Sequence, residues 1–314
     1  MTRRYRYCGL ELDSDLEFPE LPLAPATAPA DLVIRRAALP PRLARADLRL
    51  ETYEYNDHEA LWRLDGVARY RIAERGRLIE WDPAPLADTA SLRLFLLQPV
   101  FALAGVLRGE GMLNAAAVER DGRVFAFIGP SASGKSSAAA MLIRDGARLV
   151  GDSLLRVTRD AEGRMLAHPQ APWLWLWPDA LKHLRLDLAS TEPTRPGLAL
   201  RRWPGPMAER PLPLARVAIL REQKNDDLEW FESSPRQGRH AFEMLLQHSA
   251  GSTWNDTLAN RRGLFQWSTG IARQAVVERL ELPWGWDRLD ALGEQLAAWC
   301  RGDPARPAAD SEAQ

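Results

Sequence analysis

Cysteine is nearly absent from this chain. Its two cysteines, Cys8 and Cys300, lie near opposite ends of 314 residues. No CxxC pair exists, which excludes a zinc ribbon and a thioredoxin-type motif. Two free thiols in a reducing cytoplasm is the expectation. A charge excess is also lacking: 41 Lys+Arg against 42 Asp+Glu leave a net charge of -1. That balance argues against general nucleic-acid binding and against a polybasic membrane anchor. Long apolar runs are missing too. The longest, residues 92–107, is interrupted by Arg93 and Pro99 and falls short of the roughly 20 residues of a membrane span. It predicts a buried core helix, kinked near Pro99. The basic N-terminus, MTRRYRYCGLELDSDLEF, has no signal-peptide apolar stretch. The expectation is a cytoplasmic protein with neither membrane nor nucleic acid as a partner. Only five histidines occur, His58, His168, His183, His240 and His248, and none has HExxH-type spacing. They read as solvated or core residues.

Hydrophobic residues make up 46% and charged residues 26%, the composition of a globular protein with a sizeable core. Alternation at Tyr5-Arg6-Tyr7-Cys8 predicts a strand, and the Pro/Ala stretch at 19–30 an irregular linker. DLVIRRA, ETYEYN, ALWRLDG, ARYRIAE and RLIEWD predict further strands. Tyr53 and Tyr55 mark one strand face. Residues 1–108 thus read as a β-rich region ending in a core helix over 90–108.

From Leu113 the pattern turns α/β. AAAVER and RVFAFIG predict two strands joined by an Asp121-Gly122 turn. A helix follows over 136–144, with Gly146 placed to end it. ARLVGDSLLRVT predicts a further strand region, which pairs with 164–167 across a turn at 160–163. Trp173, Trp175 and Trp177 alternate. They are either one face of a half-buried strand or a hydrophobic wall for a peptide. Residues 191–213, rich in Pro and Arg, predict an irregular or mobile loop. Arg201-Arg202 and Arg261-Arg262 within and beyond it read as solvated pairs. LARVAILRE and DLEWFES predict a hairpin around Lys224-Asn225-Asp226-Asp227. QGRHAFEMLLQH, residues 257–279 and DRLDALGEQLAAW predict helices, which closes a region spanning 109–301. Residues 302–314 predict a disordered tail.

The chemistry concentrates at Gly129-Pro-Ser-Ala-Ser-Gly-Lys-Ser136, which fits G-x-x-x-x-G-K-[ST]. The pattern needs a strand before it and a helix after it, and RVFAFI and SSAAAMLIR supply both. Gly129 and Gly134 allow the tight turn that points backbone N–H groups at phosphate oxygens. The helix adds the positive end of its dipole. Lys135 would reach the β- and γ-phosphates, and the Ser136 hydroxyl would ligate Mg²⁺. Ser131, Ser133 and Ser137 are polar neighbours of the same loop. Asp152 follows an apolar strand-like run, where a carboxylate can hold Mg²⁺ or act as a base. The expected ligands are therefore ATP, with GTP not excluded, and Mg²⁺.

Residues 113–157 carry a resemblance. LNAAAVERDGRVFAFIGPSASGKSS followed by GARLVGDSLLRV resembles the HPr kinase/phosphorylase catalytic domain, and more closely the shorter HPr-kinase-related proteins. Those include kinases of lasso-peptide precursors. YCGLELDSDLEFPEL and APWLWLWPDAL are similar to their opening and to the segment after their aspartate strand. The resemblance implies an α/β, P-loop HPr-kinase/PEP-carboxykinase-like catalytic domain, with the β-rich region before it and helices after it. It also implies a serine kinase in which Asp152 is the general base. The partner would be a protein or precursor peptide bearing an acceptor serine, and a homo-oligomer is possible by the same likeness. Two positions depart from the family. Its second aspartate is Ser153 here, and its histidine before the P-loop strand is Asn114, an amide that does not titrate near neutral pH. Gln170 lies nearest the position of the family's further metal-binding glutamate. Reverse phosphorylase chemistry is not expected, and a nucleotide-binding regulator without catalysis, or a small-molecule kinase, stands as the alternative.

Overall fold

The computed structural model describes residues 2–25, 29–222, 232–250, 261–283, 285–302 and 306–307. The chain is mixed α/β and divides into two units, each assembled from separated stretches. The first comprises Met1–Met112, Pro193–Leu198 and Ala250–Trp267; the second comprises Leu113–Glu192, Ala199–Ser249 and Ser268–Gln314.

The first unit is built on an eight-stranded sheet. Its strands are β1 (Arg3–Tyr7), β2 (Leu10–Ser14), β3 (Leu32–Arg36), β4 (Leu48–Arg49), β5 (Tyr53–Tyr55), β6 (Ala60–Leu64), β7 (Ala68–Ala73) and β8 (Leu78–Pro83). Their order is β1-β2-β3-β8-β7-β6-β5-β4. Alternation places Tyr5, Tyr7, Leu12, Ile34, Tyr70 and Ile72 in the core. The helix α1 (Thr89–Arg108) packs there, with Tyr7 edge-on to Phe101 at 4.8 Å. The hydroxyls of Tyr7 and Tyr70 donate to the carbonyls of Leu97 and Leu92, which gives both buried phenols a partner.

Asp88 caps α1 by accepting from Ser91 N at 2.8 Å. Pro99 has no N–H to give, and the helix widens to a π-turn over Leu96–Val100 at that place. The apolar run of residues 92–107 is by itself shorter than a membrane span. The helix itself is 20 residues, long and apolar enough by length and composition, and 61% of its most apolar window is buried inside the chain. Gly76, in the β7–β8 turn, fits only without a side chain. Its φ is +80° and an added Cβ would lie 2.1 Å from the Ala104 carbonyl oxygen of α1.

The second unit runs β9 (Met112–Leu113), β10 (Ala115–Arg120), β11 (Arg123–Ile128), α2 (Lys135–Arg144), β12 (Arg148–Gly151), β13 (Leu155–Arg159), β14 (Met165–Ala167) and β15 (Trp173–Leu176). Next come α3 (Pro178–His183), β16 (Glu192–Pro193), β17 (Arg201–Pro204), β18 (Leu212–Glu222), β19 (Glu232–Arg236), α4 (Gly238–Gln247) and α5 (Arg261–Gln274); Met112 of β9, Pro193 of β16 and residues 261–267 of α5 count with the first unit. It ends with β20 (Val276–Leu282), α6 (Leu289–Arg301) and β21 (Arg306–Pro307). Its ten-stranded sheet runs β12-β10-β11-β18-β14-β13-β9, and β20 branches from β18 and carries β19 and β21, with β11, β18 and β20 parallel. β11 and β18 are apolar along most of their length, as strands covered on both faces must be. The Ala138–Ile143 stretch of α2 packs with α6 against Phe125 and Phe127, whose rings lie 5.6 Å from Trp299.

Several elements differ from the sequence reading. The stretch 191–213 is not irregular throughout, because Arg201–Pro204 pairs antiparallel with Trp173–Leu176. β18 and β19 are not hairpin neighbours; β20 lies between them, parallel to one and antiparallel to the other. The expected turn at 224–227 lies outside the described residues. The helix expected over 257–279 stops at Gln274, and Val276–Leu282 is a strand with Val277, Leu280 and Leu282 buried. Its first residues, 257–260, lie outside the described residues, as does most of the tail. Within that tail Arg306–Pro307 pairs with Glu232–Ser233. Cys8 and Cys300 are both free and buried.

Candidate functional site

β11 and β10 are antiparallel, joined at Asp121-Gly122, where both residues have positive φ as a two-residue hairpin turn requires. β11 ends at Ile128 and the chain turns through residues 129–134 into α2. Gly129 has φ +145°, and an added Cβ would lie 2.7 Å from Ser133 Oγ and 3.1 Å from the Leu220 carbonyl oxygen of β18. The backbone is therefore packed too tightly there for any side chain. Gly134, left-handed at φ +88°, precedes the first helical residue, Lys135. Ala132 is left-handed as well, at φ +62°. An L-residue held there stores backbone strain, which persists only where the surroundings fix it.

The side chains of this turn form a polar cluster. Lys135 Nζ donates to the carbonyls of Gly129 at 3.1 Å and Pro130 at 2.8 Å. Burial pulls the lysine pKa below its ordinary value, and the Asp152 charge opposes that. Ser136 Oγ donates to Asp152 Oδ1 at 3.0 Å. The Ser133 hydroxyl is buried with no hydrogen-bond partner among the described residues. Ser131 is exposed and Ser137 half-buried.

Asp152 directly follows β12 and is 1% exposed. Its carboxylate is held by backbone as well as by Ser136: Ser153 N donates to Oδ1 and Trp175 N to Oδ2, each at 2.8 Å. Its own amide donates to Gln170 Oε1 at 2.9 Å. Burial pushes the Asp152 pKa up to about 6. The Trp175, Ser136 and Ser153 donors and the Lys135 charge each pull the other way without cancelling it. Ser153, just beyond, is left-handed at φ +68°.

Lys135, Ser136 and Asp152, seventeen positions apart at most in the sequence, thus meet in space. Asn114 does not join them by its side chain, which is exposed and makes no hydrogen bond to Asp152 among the described residues. Its backbone N–H instead donates to the carbonyl of His248 at 2.9 Å. Sequence reasoning missed His248 and the Trp175 amide, because both arrive from distant segments. It left Gln170 without a role, and the structure gives that residue a hydrogen bond to the Asp152 backbone. The tryptophan strand is half-buried: Leu174 and Leu176 enter the core, Trp173 is buried edge-on to Trp175, and Trp177 lies beyond the strand, 51% exposed. Arg201 and Arg202, read as solvated, are paired with Thr191 and Glu192, and Arg202 lies over the Trp173 ring.

The donor set suits a metal that arrives with its ligand. Among the described residues no three His, Cys, Asp or Glu side chains form a metal cage. One carboxylate and one hydroxyl, Asp152 and Ser136, match the sparse protein share of a Mg²⁺ site completed by phosphates.

No protein-family model matches the chain, and no curated protein matches it. Among solved structures it is similar to the Hpr(Ser) kinase/phosphatase from Coxiella burnetii, with a TM-score of 0.32 and 13% identity, over 60% of this chain and 95% of that one. A likeness that slight carries neither the fold nor the chemistry; both rest on the geometry above.

Proposed function

We propose that this chain is a phosphotransferase: a serine kinase that uses ATP and Mg²⁺ to modify a protein or a ribosomally made peptide. The observation that carries the reading is the hydrogen bond between Ser136 Oγ and the buried Asp152 carboxylate, beside Lys135 at the start of α2. A cation, a hydroxyl and a carboxylate at the mouth of a glycine turn are what phosphoryl transfer requires. The orphaned Ser133 hydroxyl supports an anionic ligand in that turn, since a buried donor without a partner is costly.

In this mechanism the 129–134 backbone and Lys135 clamp the triphosphate and orient it for in-line attack. Asp152 accepts the proton of the acceptor serine as its oxygen bonds to the γ-phosphorus. The bond from that phosphorus to the β,γ-bridging oxygen breaks, and ADP leaves with the electron pair. Ser136 and Asp152 would hold Mg²⁺, which would supply charge neutralisation at the phosphate oxygens. The acceptor class rests on the sequence resemblance over residues 113–157.

A second reading has its own support. Ser153 stands where a second carboxylate would add charge, and the Asn114 side chain makes no bond to Asp152. Both favour a nucleotide-binding regulator that performs no transfer. Radiolabelled ATP with a panel of acceptor proteins and peptides separates the two. The kinase reading expects label transfer by the wild type and its loss in Lys135→Ala and Asp152→Asn. Nucleotide binding without transfer across the panel favours the regulator, and no nucleotide binding at all contradicts both.

A further inference from the structure

His248 caps the C-terminal end of α4, and its Nε2 is buried without a hydrogen-bond partner among the described residues. The backbone brings it to the glycine turn. Ala115 stands opposite Ile128 in the β10–β11 pair, so the next residues outward are Asn114 and Gly129. The His248 carbonyl accepts the Asn114 N–H at 2.9 Å, and Ser249 bridges to Leu113. One strand, at Asn114, therefore lies between the end of α4 and the first residue of the turn, so two strand spacings, about 10 Å, separate them. On the other side Ile128 pairs with Ile219 of β18, so Leu220 and Arg221 continue beside Gly129. Lys135, Arg221 and His248 thus come from three elements to the carboxyl ends of β11 and β18, where ligands of parallel sheets bind.

We propose that His248 is a phosphate contact, its Nε2–H donating to the terminal phosphate of a nucleotide held by residues 129–136. This rests on the nucleotide-binding reading above. Three observations support it. The imidazole shares its surroundings with two cations, Lys135 and Arg221, so an anion is the ligand that all three groups favour. Burial, and then the Arg221 and Lys135 charges, push the His248 pKa down and so favour the neutral ring, which has one N–H to give. The Nε2 atom is otherwise an unmet polar group, the kind of defect that a ligand repairs. Lys135 reaches the outermost phosphates in this type of turn, which directs a neighbouring donor to the same end of the chain of phosphates.

Calorimetric titration of the full chain with MgATP and with MgADP tests the assignment. Wild type is expected to bind MgATP more tightly than MgADP. His248→Ala is expected to lose about tenfold in MgATP affinity, with MgADP changed by less than about twofold. His248→Gln, which keeps an N–H donor, should recover most of the loss. His248→Phe keeps the ring's bulk without the donor and should behave like the alanine variant, so it answers the question if that variant fails to fold. Equal losses for the two nucleotides, or an undiminished preference for MgATP in His248→Phe, would overturn the proposal alone. Failure of the wild type to bind either nucleotide would overturn the reading of the turn itself.

Discussion

Asp152 carries a cost that the fold accepts. A carboxylate 1% exposed is disfavoured as an anion, and three donors plus one ammonium reduce that penalty without removing it. Its pKa of about 6 lies above the roughly 4 of an unfolded aspartate. The folded chain therefore holds this proton more tightly than the unfolded chain does. The group favours folding most below about pH 4, and that contribution is lost as the pH rises through about 6. Carbon-detected NMR on the nucleotide-free chain should show the Asp152 carboxyl titrating near 6, whereas an ordinary midpoint near 4 would contradict the burial argument. In the proposed role of base it must be ionised, so label transfer, under the kinase proposal, should rise as the pH passes through about 6. At this scale the candidate site was partly legible. The spacing of Gly129, Gly134, Lys135 and Ser136, and of Asp152 after an apolar run, is local information. Gln170, the Trp175 amide and His248 reach the cluster through long-range register, which no local pattern carries.

Elements tell a similar story. β5 to β8 were legible because each is a short run with an aromatic residue, bounded by turn residues. β20 was not: Val276–Leu282 follows α5 directly, and its mixed apolar pattern suits either state until β18 and β19 close on both of its edges. Tertiary pairing decides such segments. The same pairing creates a buried charge cluster in the first unit. Glu54 of β5, 1% exposed, accepts from Arg49 at 2.7 Å, from Arg63 at 3.0 Å and from Leu43 N at 3.0 Å. Burial raises its pKa, but the Leu43 amide and the two guanidinium groups outweigh that, and the carboxyl sits below its ordinary value. Its stabilisation is therefore present above the unfolded pKa of about 4 and is lost as the pH falls through the folded one. Glu54→Gln should destabilise the first unit by about 2 kcal/mol at neutral pH, below the 3–5 of a fully buried pair because both arginines are partly exposed. Chemical denaturation measures it. A loss that persists unchanged at pH 3 would contradict the ionic origin.

For the whole molecule, the two units are not two halves of the sequence. The first takes up Pro193–Leu198 and Ala250–Trp267 from far along the chain. Arg195 lies over the Phe95 ring at 6.0 Å, and a Cβ on Gly111 would meet the Trp267 indole at 2.1 Å. A fragment of residues 1–112 lacks both groups and should melt below the corresponding unit of the full chain, with weaker amide protection across α1. Equal protection in the fragment would count against this division. Nothing in the composition of residues 193–198 marks them for the first unit. They belong to it through packing, and packing has no one-dimensional signature.

The central claim is that residues 129–136 hold a triphosphate through Lys135. Melting of the full chain with and without saturating MgATP tests it most directly. The account predicts a rise in melting temperature for the wild type and none for Lys135→Ala, with both chains folded before nucleotide is added. An equal rise in the two, or no rise in the wild type, would contradict it.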